Sequence, residues 1–279
     1  MLQSMKNELF ALHVSWSTIL RNPRKYTEVV IKSYLMWILD INNRSLRLNQ
    51  WLRLAYPLWR YIDDIADGDK KLPTMYNTVE EFLDDISWYI ETKHCKYPLL
   101  WHVISKTIYD IFQISQYDIS WDISNFFLWM KMEYMRRKSK TILPKNEIED
   151  IFNSGFRGPQ QIYLVWLWSK YTVDDICELP MILWWVYSLR DLEWDLAKWI
   201  CNIPTQILTQ MWYNSIPQYS EIKNHDLLNQ WMIEVCKEQR NNIITLKNKI
   251  QSMDIWVKKI CWWLLPAVES FLEHYYILK

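Results

Sequence analysis

The stretch RYIDDIADGD, residues 60–69, crowds four aspartates into seven positions beside apolar residues suited to a core. Asp63 and Asp67 are four apart, a spacing that puts two side chains on one face of a helix, about one turn apart. Asp64 adds a third carboxylate. The stretch LRDLEWDLAKWICNIP, residues 189–204, repeats the arrangement with Asp191 and Asp195. Like charges at this spacing repel, and burying them unpaired costs several kcal/mol per ion. A divalent cation offsets such a cost, and Mg²⁺ takes one or two carboxylates together with phosphate oxygens. An arginine accompanies each cluster: Arg60 precedes Asp63 by three residues, and Arg190 adjoins Asp191. The planar guanidinium binds oxyanions in bidentate fashion. The plain alternative is a solvated acidic helix face, the reading given to EEFLDD (residues 80–85) and VDDI (residues 173–176). What separates the two clusters from those runs is their setting in strongly apolar segments, LRLAYPLWRYIDDIAD and MILWWVYSLRDLEWDLAKWI.

Outward from these stretches the helical period dominates. EEFLDDISWYIETK brings Phe82, Leu83, Ile86, Tyr89 and Ile90 onto one face, as an amphipathic helix requires. SKTIYDIFQI and NNIITLKNKIQSMDIWVKKICWWLL read the same way. Prolines at 73, 98, 144, 180, 204 and 217 separate helical blocks. Alternating strands, a phosphate-binding glycine loop, a repeat and a linker-like tract are all lacking. The expectation is an all-α chain of about ten helices in one domain over residues 1–279.

Half of the 279 residues are hydrophobic, enough for a large core. The 32 basic and 32 acidic residues balance, which argues against nucleic acid as a partner. The N-terminus carries Glu8 and does not read as a signal peptide. The longest apolar runs, LPMILWWVY and ICWWLLPAV, fall short of the roughly 18 residues of a membrane span. Cys95, Cys177, Cys201, Cys236 and Cys261 show no Cys-x-x-Cys spacing, so no zinc site or disulfide framework is expected, and a reducing cytoplasm fits. The five histidines are scattered, and KMEYMRRKSK (residues 131–140) reads first as a solvated basic face and second as a membrane-surface or phosphate-binding patch.

Taken together, the two acidic stretches resemble the two aspartate-rich motifs of the squalene/phytoene synthase family, the head-to-head prenyl transferases. FFLWMKMEYMRR (residues 126–137) resembles the segment between them, with Glu133 where the family usually has aspartate. The likeness covers roughly residues 50–210. It implies an isoprenoid-synthase-type helical bundle around a central cavity, with both clusters at its mouth. Asp63, Asp64, Asp67, Asp191 and Asp195 would hold Mg²⁺, with Mn²⁺ as a substitute, and Arg60 and Arg190 would clamp the diphosphate of a farnesyl or geranylgeranyl substrate. NADPH enters only if a reductive second step follows. Release of a lipid product implies peripheral contact with the inner face of a membrane. Departures exist: Trp184 and Tyr187 stand where the family has glutamine and a metal-binding asparagine, and SGFRGPQQ replaces a glycine-rich segment. Two alternatives remain, a class I terpene cyclase, whose usual second motif is missing here, and a non-catalytic relative serving as a binding or assembly module.

The composition has one anomaly. Ordinary usage of about 7% glycine gives roughly 20 in a chain of this length, whereas this one has 3 glycines and 19 tryptophans. Trp129 and Trp199 occupy places where the family has glycine. The expectation is that many tryptophans stand for glycine, through a reassigned stop codon; the plain alternative is a lineage that favours tryptophan.

Overall fold

A computed structural model describes residues 61–88, 96–166 and 169–277, and among them every regular element is helical. The helices fall into two compact units, Met1–Lys131 with Val165–Leu167 and Met132–Leu164 with Trp168–Lys279.

In the first unit, a helical segment at residues 61–66 carries the first acidic cluster. Helix α1 (Val79–Ser87) opens on Thr78, whose hydroxyl accepts the Glu81 N–H at 3.1 Å. This satisfies one of the amides a helix start leaves unpaired. Phe82, Leu83 and Ile86 on α1 are fully buried, as the period requires, while Tyr89 and Ile90 lie outside the described residues. The EEFLDD carboxylates are structural: Asp84 pairs with Lys131, and Asp85 accepts the Tyr76 hydroxyl at 2.6 Å. Helix α2 (Pro98–Ser115) begins on proline, which lacks only an N–H that is unpaired at that position anyway. Helix α3 (Ser120–Ser139) starts in this unit, and its Ser124 hydroxyl donates to the Ser87 carbonyl at 3.1 Å.

The second unit contains the end of α3 and most of α4 (Lys145–Trp166). VDDI forms a short 3₁₀ turn, Val173–Ile176, that buries its two apolar residues and uses Asp175 to cap its own start. Next come α5 (Glu178–Arg190), α6 (Leu192–Ala197), α7 (Thr205–Gln210), α8 (Tyr219–Ile222), α9 (Asp226–Ile250) and α10 (Ile255–Ile277). Helices α5, α9 and α10 pack on one another. On α9, the buried stripe Leu228, Met232, Val235, Gln239, Ile243, Leu246 and Ile250 recurs every three or four residues, the signature of one helix face set against a core. Trp185 on α5 is 1% exposed, with its ring edge-on to Phe152 and Trp231 at 5.1 and 6.2 Å. Each such buried side chain contributes about 1.5–3 kcal/mol.

The segment read from its period as NNIITLKNKIQSMDIWVKKICWWLL is divided between α9 and α10. Asp254 makes the break: its Oδ1 accepts the N–H groups of Trp256 and Val257, both at 3.0 Å, and so starts a new helix. The free cysteines Cys201, Cys236 and Cys261 are buried and Cys177 is exposed; Cys95 lies outside the described residues. Among the described residues no helix is long and apolar enough to cross a membrane.

Candidate functional site

In the first cluster, the Asp67 N–H donates to the Asp63 carbonyl at 2.8 Å, so the i, i+4 relation is realised as one helical turn. Asp63 and Asp67 are half-buried. Asp64 is buried on the same segment, and the Lys70 ammonium stands 3.7 Å from its carboxylate. The Lys70 N–H also closes on the Asp64 carbonyl at 2.8 Å, which folds residues 67–70 back over the helix end. Gly68 permits that reversal, at φ +75°. Arg60 lies outside the described residues.

In the second cluster, Asp191 forms the joint between α5 and α6. Its N–H reaches the Tyr187 carbonyl at 2.9 Å, and the Asp195 N–H reaches the Asp191 carbonyl at 2.8 Å. The helical path therefore continues across the joint, one turn separating the two aspartates. Buried Leu189, Leu192 and Leu196 flank them. Burial and the neighbouring charges of Asp191 and Glu133 push the Asp195 carboxyl up to about 7, against the opposing pull of Arg136 and Lys198. Arg190 forks onto its own neighbour, with Nε and Nη2 at 2.8 and 2.5 Å from the two Asp191 oxygens. Those hydrogen bonds raise the arginine's pKa above its ordinary value. The guanidinium also lies over the Tyr187 ring, 4.6 Å from its centre.

Arg136 escapes the sequence reading. KMEYMRRKSK reads as a solvated face, yet Arg136 is buried, 5% exposed. Its Nη1 donates to Glu133 at 3.2 Å and its Nη2 to the Cys201 carbonyl. It thus ties α3 to the chain that leaves α6, and its charge acts on the Asp195 carboxyl. The available signal was Glu133, three residues earlier on the same helix face, an ordinary ion-pair spacing. A second buried tie joins the Asn202 amide to the Ser188 hydroxyl at 3.1 Å.

The two departures are filled by aromatic packing. Trp184 stacks on Phe152, centroids 5.0 Å apart and planes 7° from parallel, and Tyr187 supports Arg190. Neither side chain offers an amide oxygen to a metal ion.

No protein-family model, curated protein or solved structure matches the chain. The functional reading therefore rests on the side chains alone. Among the described residues no three His, Cys, Asp or Glu side chains converge as a ready-made metal site. The pair Asp191 and Asp195, with Glu133 nearby, is still a donor set of the right chemistry: hard oxygen ligands whose mutual repulsion a cation would relieve.

Proposed function

We propose that the chain is a prenyl transferase of the squalene/phytoene synthase type, joining two prenyl diphosphates head to head. The observation that carries the reading is the setting of Asp195: burial first, then the charges of Asp191 and Glu133, raise its carboxyl to about 7. Such a carboxyl is poorly served by the apo protein and well served by a cation. Asp191 and Asp195 would hold Mg²⁺ from the second motif, and Asp63, Asp64 and Asp67 from the first. When bound, the ion neutralises charge on a departing diphosphate.

The chain's own residues do the rest. Arg190, already shaped as a fork by Asp191, offers the same planar donors to a diphosphate oxygen. Arg136 holds the Glu133 carboxylate and the Cys201 carbonyl, and its charge partly offsets the burial of Asp195. Leu189, Leu192 and Leu196 keep apolar surface beside the carboxylates, which strengthens electrostatic contacts there. In the reaction the allylic carbon–oxygen bond breaks and diphosphate leaves with the electron pair. The double bond of the second prenyl chain attacks the cation, and loss of one proton closes a cyclopropyl diphosphate. The test is incubation with farnesyl or geranylgeranyl diphosphate and Mg²⁺, with mass analysis of the lipids. A condensed product carrying both chains supports the reading; a cyclised product from one chain identifies a terpene cyclase instead.

One observation favours the non-catalytic alternative: Arg190 is committed to Asp191, and Tyr187 and Trp184 are committed to packing. A binding module would hold a farnesyl diphosphate analogue with Mg²⁺ and release it unchanged.

A further inference from the structure

Four non-glycine residues among those described have left-handed backbone: Gln116, Lys140, Trp199 and Trp212, at φ 59°, 53°, 64° and 66°. Side chains with a Cβ are strained in this region, and bulky ones are outliers. Lys140 closes α3 with the same pair of bonds, its N–H on the Arg137 carbonyl and the Thr141 N–H on the Arg136 carbonyl, but Trp199 and Trp212 put the bulkiest side chain in that place. At the end of α6, the Trp199 N–H donates to the Leu196 carbonyl at 3.1 Å and the Ile200 N–H to the Asp195 carbonyl at 2.9 Å. At the end of α7, the Trp212 N–H donates to Thr209 at 3.0 Å and the Tyr213 N–H to Leu208 at 2.9 Å. Both are the paired closing bonds of a Schellman motif, and both tryptophans sit at the left-handed position that glycine ordinarily fills. Gly68, at φ 75°, shows the same chain using glycine for a left-handed turn after a helical segment.

The side chains gain little at these places. Trp212 is 91% exposed. Trp199 projects outward, with the Lys140 ammonium 3.5 Å above its ring, and Lys140 is itself left-handed. A lipid-facing or partner-facing anchor accounts for exposed tryptophan but not for left-handed backbone at two successive helix ends. The shortage of glycine, 3 against 19 tryptophans, supplies the missing residue type. We propose that residues 199 and 212 are glycine in the protein the cell makes, the codon behind them being a reassigned stop codon read as glycine. Trp129 stays outside the proposal: its backbone is ordinary helix and its ring packs on Phe126 at 5.5 Å. Trp185, in the core of the second unit, bears none of these marks.

Peptide mass spectrometry of the protein purified from its own cells decides the matter. Glycine masses at both positions are expected; tryptophan at either, or a UGG codon at either, overturns the proposal. A second measurement uses the recombinant chain. The double variant Trp199→Gly/Trp212→Gly is expected to melt higher by roughly 4–8 °C, from relief of left-handed strain at two helix ends. Trp185→Gly is expected to melt lower, as loss of a packed core ring requires. A double variant that melts lower than the parent overturns the proposal, whatever reaction the protein runs.

Discussion

Asp195 is a carboxyl that burial and its neighbours hold far from its ordinary protonation. Its folded pKa of about 7 lies above the ordinary carboxylate value, so between these two pH values the folded protein holds a proton that the unfolded chain has lost. Stability from this group therefore falls as pH rises from about 4 to about 7. Asp195→Asn removes the effect. The variant should melt higher than the parent at pH 8, and the gap should close as pH falls toward 4; a constant gap would show that the crowding of Asp195 does not govern it. Arg136 shows the opposite economy. Replacing it with methionine strands the Glu133 carboxylate and the Cys201 carbonyl, and breaking one side of a buried pair costs about 3–5 kcal/mol. Chemical denaturation measures this directly, and a loss below about 1 kcal/mol would place Arg136 among ordinary surface arginines. These two residues mark what a sequence shows and hides. The four-residue spacing of Asp191 and Asp195 is local, and one hydrogen bond of helix realises it. The burial of Arg136 depends on a carbonyl 65 residues away, which no local pattern records.

At the scale of elements, punctuation was more legible than continuity. Pro98 and Pro204 stand at helix starts, where a proline nitrogen costs nothing. Pro159 and Pro266 lie inside helices, so proline alone does not mark an end. The break between α9 and α10 went unread because apolar spacing runs through it, while the deciding interaction is one side chain. Asp254 Oδ1 accepts two amides of α10, and its Oδ2 accepts the Ser169 hydroxyl at 2.8 Å and the Lys170 N–H at 3.2 Å. Asp254→Ala should therefore cost about 1–2 kcal/mol, in the upper part of the usual range for a helix cap, in a urea melt. Asp254→Asn, which keeps an acceptor oxygen, should recover most of it. If both variants match the parent, the helix break is held by packing and not by this cap.

For the whole molecule, composition set the class: balanced charge, a large apolar fraction and a helical period throughout. The division into two compact units has no counterpart in the sequence, because no glycine-, proline- or serine-rich tract separates them, and α3 runs through the boundary. The first acidic segment belongs to one unit and the second to the other. The proposed reaction uses carboxylates of both acidic segments, so a substitution in either segment should stop it. Asp63→Asn and Asp191→Asn are each expected to lower condensed product by about 10²-fold or more, the usual loss when one charge-stabilising group leaves a reacting centre. Neither change removes a hydrophobic contact, and each relieves like-charge repulsion worth a few tenths of a kcal/mol. Melting temperature should hold or rise slightly for Asp63→Asn and change by no more than the exposed Arg190 pair is worth, about 0–1 kcal/mol, for Asp191→Asn, which distinguishes lost chemistry from lost fold. Asp191→Asn has an additional consequence, since it frees Arg190 from a bidentate partner. Binding of a farnesyl diphosphate analogue without Mg²⁺ should then strengthen while turnover falls. Full turnover in either variant would remove that aspartate from the reaction. Loss of turnover confined to Asp191→Asn would restrict the chemistry to the second unit.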